Sequence, residues 1–207
     1  MTIEPITFYP AFGSPYSYVA AQLIDEIGVR HGRTVLWRPV RLGTVLSRQG
    51  DGTRPSIPDE KLAYWRHDVE RICVLRGLPF VRPEGAAPPF DCDELYAACY
   101  ALADGNEAQL RAITLAVLSV IWAEAKALKT LDAVVSGLRR FNLSSAVVKR
   151  YATSDEGQAL HDLAITSALA VGMIGAPWIS VGTESFWGHD RLPYLDQWLG
   201  SDVAPLS

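Results

Sequence analysis

Phe12-Gly13-Ser14-Pro15-Tyr16-Ser17-Tyr18 is the stretch that decides the fold. It follows Ile6-Thr7-Phe8-Tyr9, an apolar run with the composition of a short strand. It precedes Val19-Ala20-Ala21-Gln22-Leu23-Ile24-Asp25-Glu26-Ile27, where apolar residues recur at helical spacing. Ser14 suits the N-cap, and Pro15 suits the first helical position, where a missing N–H is no loss. Ser14 is thereby placed at a strand-to-helix turn, beside the first unpaired N–H groups of the helix. That end of a helix attracts anions, and a hydroxyl donor there suits a thiolate or another small anion. A plain capping serine fits the same residues.

Near the other end of the chain, Gly175-Ala176-Pro177 leads into a second apolar run, Trp178-Ile179-Ser180-Val181. A proline entering a strand after a glycine-flanked turn is a candidate cis peptide, with a trans turn proline as the alternative. In a sheet where this turn lies beside the first helix, the N–H and C=O of Ala176 are placed to pair with an extended peptide ligand. Gly182-Thr183 reads as a hairpin turn, and Glu184-Ser185-Phe186-Trp187 as the returning strand. Gly188-His189-Asp190 then opens a final helix from Arg191 to Leu199. Asp190 fits a helix cap and equally a carboxylate that binds a ligand ammonium.

Between these ends the pattern is helical. A first helix is expected over 15–31 and a second strand over 34–39, which makes a βαβ unit and favours a parallel pair. Residues 43–58, rich in Gly, Pro, Ser and Thr, read as a loop. Helices are expected over 61–75, 93–102, 107–127, 131–138, 144–151 and 154–171, with a proline-rich connector over 82–90. The order is βαβ, a helical insertion, then ββα. The expected fold is α/β, thioredoxin-like, with residues 1–58 and 172–207 forming that domain and residues 59–171 an inserted all-helical one.

Composition narrows the function. The chain has 207 residues, is 49% hydrophobic with six Trp, and carries a net charge of −4. That is a globular composition without the basic clusters that track phosphates, which argues against nucleic acid. No apolar run reaches bilayer length and the first residues do not read as a secretory signal, so a cytoplasmic protein is expected. The three cysteines, Cys73, Cys92 and Cys99, form no Cys-x-x-Cys and read as buried, inert thiols. The four histidines show no metal-ligand spacing, so no metal is expected.

Taken together, Ser14-Pro15-Tyr16-Ser17-Tyr18, Gly175-x-Pro177 and Phe186-Trp187-Gly188-x-Asp190-Arg191-Leu192 resemble the 2-hydroxychromene-2-carboxylate isomerase family, the bacterial branch of the kappa-class glutathione transferases. Tyr64-x-x-x-Asp68-x-Glu70-Arg71 and Ile121-Trp122-Ala123-Glu124 share in the resemblance, which spans essentially the whole chain. It implies a dimeric thioredoxin-like protein with tightly bound glutathione. Ser14 matches the serine that hydrogen-bonds the glutathione sulfur. Ala176, before Pro177, matches the residue whose backbone pairs with the cysteinyl unit, and Asp190 with Arg191 matches the pair at the γ-glutamyl end. The implied reaction is addition of the glutathione thiolate to the conjugated chromene, rotation about a double bond, and departure of the thiol to leave a trans benzylidenepyruvate. A serine beside a helix end suits a borrowed thiolate, so the missing dithiol is expected.

Several positions depart from the family pattern. Ala11 stands where the family usually carries Asp. Asp51 is the nearest candidate for a glutathione-contacting Asn. His189 replaces a more usual Gln or Ser, and reads either as a proton donor near the thiol adduct or as an exposed helix-start residue. Arg41 reads as a partner for a substrate or glutathione carboxylate, or as a surface charge; Tyr16, Arg41 and His189 are the expected substrate-pocket residues. The rival readings are a kappa-like glutathione transferase or peroxidase acting on another electrophile, and a glutathione-binding homologue without chemistry. A disulfide oxidoreductase shares the fold but needs a thiol pair.

Overall fold

The computed structural model describes residues 3–50, 58–81, 91–124, 130–141 and 143–201. Four strands, β1 (Ile6–Tyr9), β2 (Val35–Trp37), β3 (Trp178–Val181) and β4 (Glu184–Trp187), form one sheet in the order β2-β1-β3-β4. β1 runs parallel to β2, with Phe8 opposite Trp37, and antiparallel to β3, with Phe8 opposite Ile179. β3 and β4 form the antiparallel hairpin expected across Gly182-Thr183, with Trp178 opposite Trp187. This is the thioredoxin-like βαβ…ββα sheet, with helices between its two halves.

The first helix differs from the expectation. It is two helices, α1 (Pro15–Ala21) and α2 (Ile24–Arg30), broken at Gln22-Leu23. α1 packs against α6 and α2 against β2, and Ile24 and Ile27 stay buried beyond the break. The loop expected over 43–58 is also corrected. α3 (Leu42–Gln49) occupies its first half, because Val45 is fully buried and Leu42 and Leu46 flank it on the same helical face. Its end is tied down by Gln49, which donates to the Met173 carbonyl at 2.7 Å. Gly43, Thr44 and Ser47 had masked that periodicity.

α4 (Asp59–Leu75), α5 (Asp93–Ala103), α6 (Glu107–Trp122), α7 (Leu131–Gly137), α8 (Ser145–Ala152) and α9 (Asp155–Ala170) follow within two residues of the expected ends, except that α6 stops at Trp122. α10 (Leu192–Leu199) closes the chain after a 3₁₀ turn at His189–Arg191. α5 is the centre of the helical part. Nearly all of its residues from Leu95 onward are buried, and Gly157 lets α9 come so close that a Cβ there would strike the Ala97 carbonyl.

The two parts meet at Phe12, which is buried with both backbone polar groups bonded to side chains of the helical part. The Phe12 N–H donates to the Tyr96 hydroxyl oxygen at 2.7 Å, and the Trp122 indole N–H donates to the Phe12 carbonyl at 2.8 Å. The Phe12 and Tyr96 rings stack with centroids 4.2 Å apart. Tyr96→Phe keeps that stack and strands one buried N–H, which costs about 1–3 kcal/mol. Urea unfolding of the variant is expected to show that loss, whereas an unchanged midpoint would mean that the Phe12 N–H finds another partner.

Candidate active site

The site begins at the end of β1. Ala11 to Ser14 make a turn in which the Ser14 N–H donates to the Ala11 carbonyl at 3.0 Å. The Ser17 hydroxyl accepts from the buried Ala11 N–H at 3.1 Å, so the turn is closed from both sides. Ala11 is 1% exposed. An aspartate there would bury a carboxylate, so an apolar residue fits this packing.

Ser14 caps α1, its oxygen accepting from the Ser17 N–H at 3.3 Å with Pro15 at the first helical position. The cap reading is therefore correct, but it does not use the whole hydroxyl. The Ser14 Oγ–H donates to the Ala176 carbonyl at 3.1 Å, across 162 residues of sequence. The Ala176–Pro177 peptide is cis. The Ala176 carbonyl was expected to be free for a ligand; instead it already has the serine as a donor. The broken first helix leaves α1 only seven residues long, so fewer aligned peptide dipoles stand behind this end than a helix over 15–31 would supply. The hydroxyl is the directed polar group here.

Beyond Pro177, the Gly188 N–H donates to the Pro177 carbonyl at 3.0 Å, which brings the end of β4 to the same place. Gly175 lies under the Trp187 indole so tightly that a Cβ at 175 would overlap the ring. Trp187 itself is 53% exposed and covers the turn from outside. His189, two residues on, turns back over α1. Its imidazole lies flat on the Tyr16 ring, with centroids 4.8 Å apart and planes 2° from parallel. It is half-buried, which corrects the reading as an exposed helix-start residue. Burial lowers its pKa from the ordinary value, with Arg76 adding to the effect and Asp190 and Asp68 opposing it.

Tyr16 is the hinge of this cluster. Its hydroxyl donates to Asp68 of α4 at 3.0 Å, and its ring meets Trp65 edge-on at 6.5 Å. Trp65 in turn meets Trp122 edge-on at 6.3 Å. Burial first, and then the Asp68 bond, push the Tyr16 phenol well above its ordinary pKa. Burial would raise the Asp68 carboxyl, but hydrogen bonds from Arg71 and Tyr16 outweigh it and hold it low. The Tyr16–Asp68 bond was not foreseen, because nothing in the sequence joins residues 16 and 68 across two elements.

The remaining expected site residues fall differently. Asp190 and Arg191 sit on the exposed 3₁₀ turn and pair with each other at 3.0 Å. Asp190 makes no capping bond, so its cap reading is corrected. Arg41 is not a free cation. It binds Asp93 at 2.9 Å and lies 3.8 Å from Asp91, whose side chain accepts from the Tyr96 hydroxyl and would be met by a Cβ on Gly13. Arg41 thus braces the turn from behind rather than entering the expected pocket. Asp51 lies outside the described residues. The cysteines are remote from this chemistry: Cys73 and Cys99 are buried, and burial pushes the Cys73 thiol to about 11 and the Cys92 thiol to about 12. Among the described residues no group of His, Cys, Asp and Glu is arranged to hold a metal ion, and no helix is long and apolar enough to cross a membrane.

Residues 5–200 match the model of the DSBA-like thioredoxin domain. A Pseudomonas putida protein named 2-hydroxychromene-2-carboxylate isomerase is 28% identical over 199 residues, covering 94% of each chain. A solved structure of a 2-hydroxychromene-2-carboxylate isomerase superposes with a TM-score of 0.77 at 26% identity, again over 94% of each chain. A putative protein disulfide isomerase from Nitrosomonas europaea superposes with a TM-score of 0.64 at 16% identity, over 95% of this chain and 98% of its own. That last likeness is one of fold.

Behind Arg41, His161 is 3% exposed and stacks on Tyr96 at 5.0 Å. Burial drives its pKa down to about 4, against the opposing pull of Asp93 and Asp162. The unfolded chain therefore takes up this proton near the ordinary value of about 6.5 and the folded chain only near 4. Its contribution to stability is complete above about 6.5 and is lost as pH falls towards 4, on the order of 3 kcal/mol in all. Urea unfolding across that range is expected to show the loss in the wild type and a smaller one in His161→Phe. Parallel pH profiles would remove His161 from the acid sensitivity.

Proposed function

The chain belongs to the DSBA-like thioredoxin domain family, and within it we propose a glutathione-dependent cis–trans isomerase of the 2-hydroxychromene-2-carboxylate type. The observation that carries this reading is the Ser14 hydroxyl at the strand-to-helix turn, bonded to the carbonyl that precedes the cis proline. A dithiol enzyme needs cysteine at such a turn, and the stretch from Phe12 to Tyr18 has none. What remains is a hydrogen-bond donor suited to a thiol brought in from outside.

The residues present fit glutathione by their chemistry. The Asp190–Arg191 pair offers one carboxylate and one guanidinium side by side, complementary to the ammonium and carboxylate of a γ-glutamyl end. The cis turn leaves the Ala176 backbone beside Ser14, where a cysteinyl unit would align. The Ala176 carbonyl oxygen can accept from a ligand N–H there, its second lone pair being open even while the serine is bound. Bound there, glutathione supplies a thiolate that adds reversibly to a conjugated double bond and lets it rotate. Ser14 must turn its O–H from the Ala176 carbonyl to the sulfur. A bond to an anion is roughly twice as strong as the neutral one it replaces, which favours the turn. The aromatic residues Tyr16 and Trp65, their rings edge to face, offer an aromatic substrate apolar ring surface. A homodimer and a cytoplasmic setting come into this reading with the family resemblance.

Calorimetric titration with glutathione, read together with thiolate absorbance in the ultraviolet, tests the site; isomerisation of 2-hydroxychromene-2-carboxylate tests the reaction. Return of glutathione unchanged supports an isomerase, whereas a stable conjugate means a transferase. Binding without turnover on the chromene or on model electrophiles means a non-catalytic homologue. Ser14→Ala is expected to raise the pKa of bound glutathione and to cut kcat on the order of 100-fold, as loss of one directed donor does. It should cost about 1 kcal/mol of stability as a lost cap. Unchanged kcat would leave Ser14 a cap and nothing more. Asp190→Asn is expected to weaken glutathione binding in the same titration; equal affinity would take Asp190 out of the ligand site.

A further inference from the structure

A closed circuit of contacts surrounds the Ser14 hydroxyl. Ser14 bonds Ala176; Pro177 bonds Gly188; His189 follows Gly188 and stacks on Tyr16; Tyr16 is two residues from Ser14. His189 is therefore on the rim of the site. Among the described residues neither of its ring nitrogens has a hydrogen-bond partner, and only its flat face is engaged. The other polar groups of the rim are already committed. The Tyr16 hydroxyl donates to Asp68, Asp68 also accepts from Arg71, and Asp190 pairs with Arg191. Of the other histidines, His31 is held by Asp196 at 2.8 Å, His161 is buried behind Arg41, and His67 lies on an exposed position of α4.

The substrate class of the proposed reaction makes a demand on this rim. A 2-hydroxychromene-2-carboxylate carries a hydroxyl and the ring oxygen on one carbon, so it is a cyclic hemiketal. Geometric isomerisation requires that ring to open. Opening converts the hydroxyl into a ketone and the ring oxygen into a phenol, so one proton must pass between two oxygens.

Resting on the isomerase reading, we propose that His189 carries that proton. Its imidazole takes the proton from the hemiketal hydroxyl as the bond from that carbon to the ring oxygen breaks. The hydroxyl electron pair becomes the second bond of the ketone, and the pair of the broken bond leaves on the phenolate oxygen. The imidazolium then gives its proton to that oxygen, and neither charge nor proton count has changed. Tyr16 positions the ring by stacking, and Asp68 and Arg71 hold Tyr16. The groups that face His189 are Tyr16 from α1, Asp68 and Arg76 from α4, and Asp190 from its own turn. Burial lowers the pKa of the imidazole and so favours its neutral form, which is the form that can accept the proton.

Two variants of the full chain test this. His189→Phe keeps a flat ring and removes both nitrogens; His189→Ala opens the position. Both are expected to lower kcat with glutathione on the order of 100-fold while KM for the chromene changes far less. The wild-type kcat should show an acid limb below the ordinary imidazole range, in keeping with the lowered His189 pKa, and that limb should vanish in the variants. Added imidazole should recover kcat in His189→Ala. A readout independent of turnover is NMR of the His189 ring nitrogens in glutathione-free protein: trans-2-hydroxycinnamate, a phenol with a conjugated carboxylate, should shift them. If the wild type isomerises the chromene and His189→Phe matches it, the proton role is overturned while the isomerase reading stands. Failure of imidazole rescue, or no NMR shift, also overturns it. A wild type that binds glutathione but leaves the chromene unchanged removes the isomerase reading and this inference with it.

Discussion

The peptide of Phe12 is the constraint on which the rest of the molecule depends. It lies where the sheet ends and the helical part begins, buried from water, with a donor and an acceptor that must both be satisfied. Neither is satisfied by secondary structure. Tyr96 of α5 supplies the acceptor and Trp122 of α6 the donor, so two helices encoded some 80 to 110 residues later hold one turn in place. An unpaired buried group costs about 1–3 kcal/mol, and here two such costs are avoided at a single residue. Because Ser14 is two residues further on, the position of its hydroxyl is set by this anchorage as much as by its own capping bond.

The same anchorage explains the division of charge around the site. Asp91 reaches the turn through Tyr96, and Arg41 stands behind it with Asp93 as a second carboxylate. Arg41 offsets part of the negative charge of these two carboxylates at the back of the turn. On the open side the arrangement reverses. Tyr16, Trp65 and His189 present ring surfaces, and the charged pair Asp190–Arg191 stands out on an exposed turn. An aromatic lining with one charged clamp suits a ligand that has a zwitterionic end and a flat substrate beside it.

The sequence revealed the order of strands, the hairpin, the capping role of Ser14 and the cis candidate at Pro177, because each is written in neighbouring residues. Strand composition, a Ser-Pro step and a Gly-x-Pro step carry their meaning locally. Two helices were misjudged for the opposite reason. α3 is held by one fully buried valine and by tethers from Gln49 to Met173 and from Arg48 to Asp162, which lie far away in sequence. The first helix breaks at Gln22-Leu23 without a glycine or proline to mark it, since packing on the sheet sets the direction of α2. Side-chain partners were the least legible of all. Arg41 looked available because its carboxylates lie some 50 residues on, and His189 looked exposed because Tyr16 comes from the opposite end of the chain. Asp51 lies outside the described residues.

A thioredoxin-like site places a reactive sulfur between a helix start and a cis-proline turn, and that geometry does not require the sulfur to belong to the protein. Here the hydroxyl of Ser14 occupies the position and is held by the carbonyl of Ala176. Cys73 and Cys99 are buried and Cys92 is half-buried, and burial raises the pKa of all three thiols. The consequence is a division of labour. A chain with its own thiols must tune them by burial and by charge, whereas a chain that borrows a thiol must bind the molecule that brings it. That need falls on exposed residues, because the carrier has to enter and leave. In the proposed reading, an Asp–Arg pair on a surface turn, of little value to stability where it stands, serves to hold the zwitterionic end of that carrier.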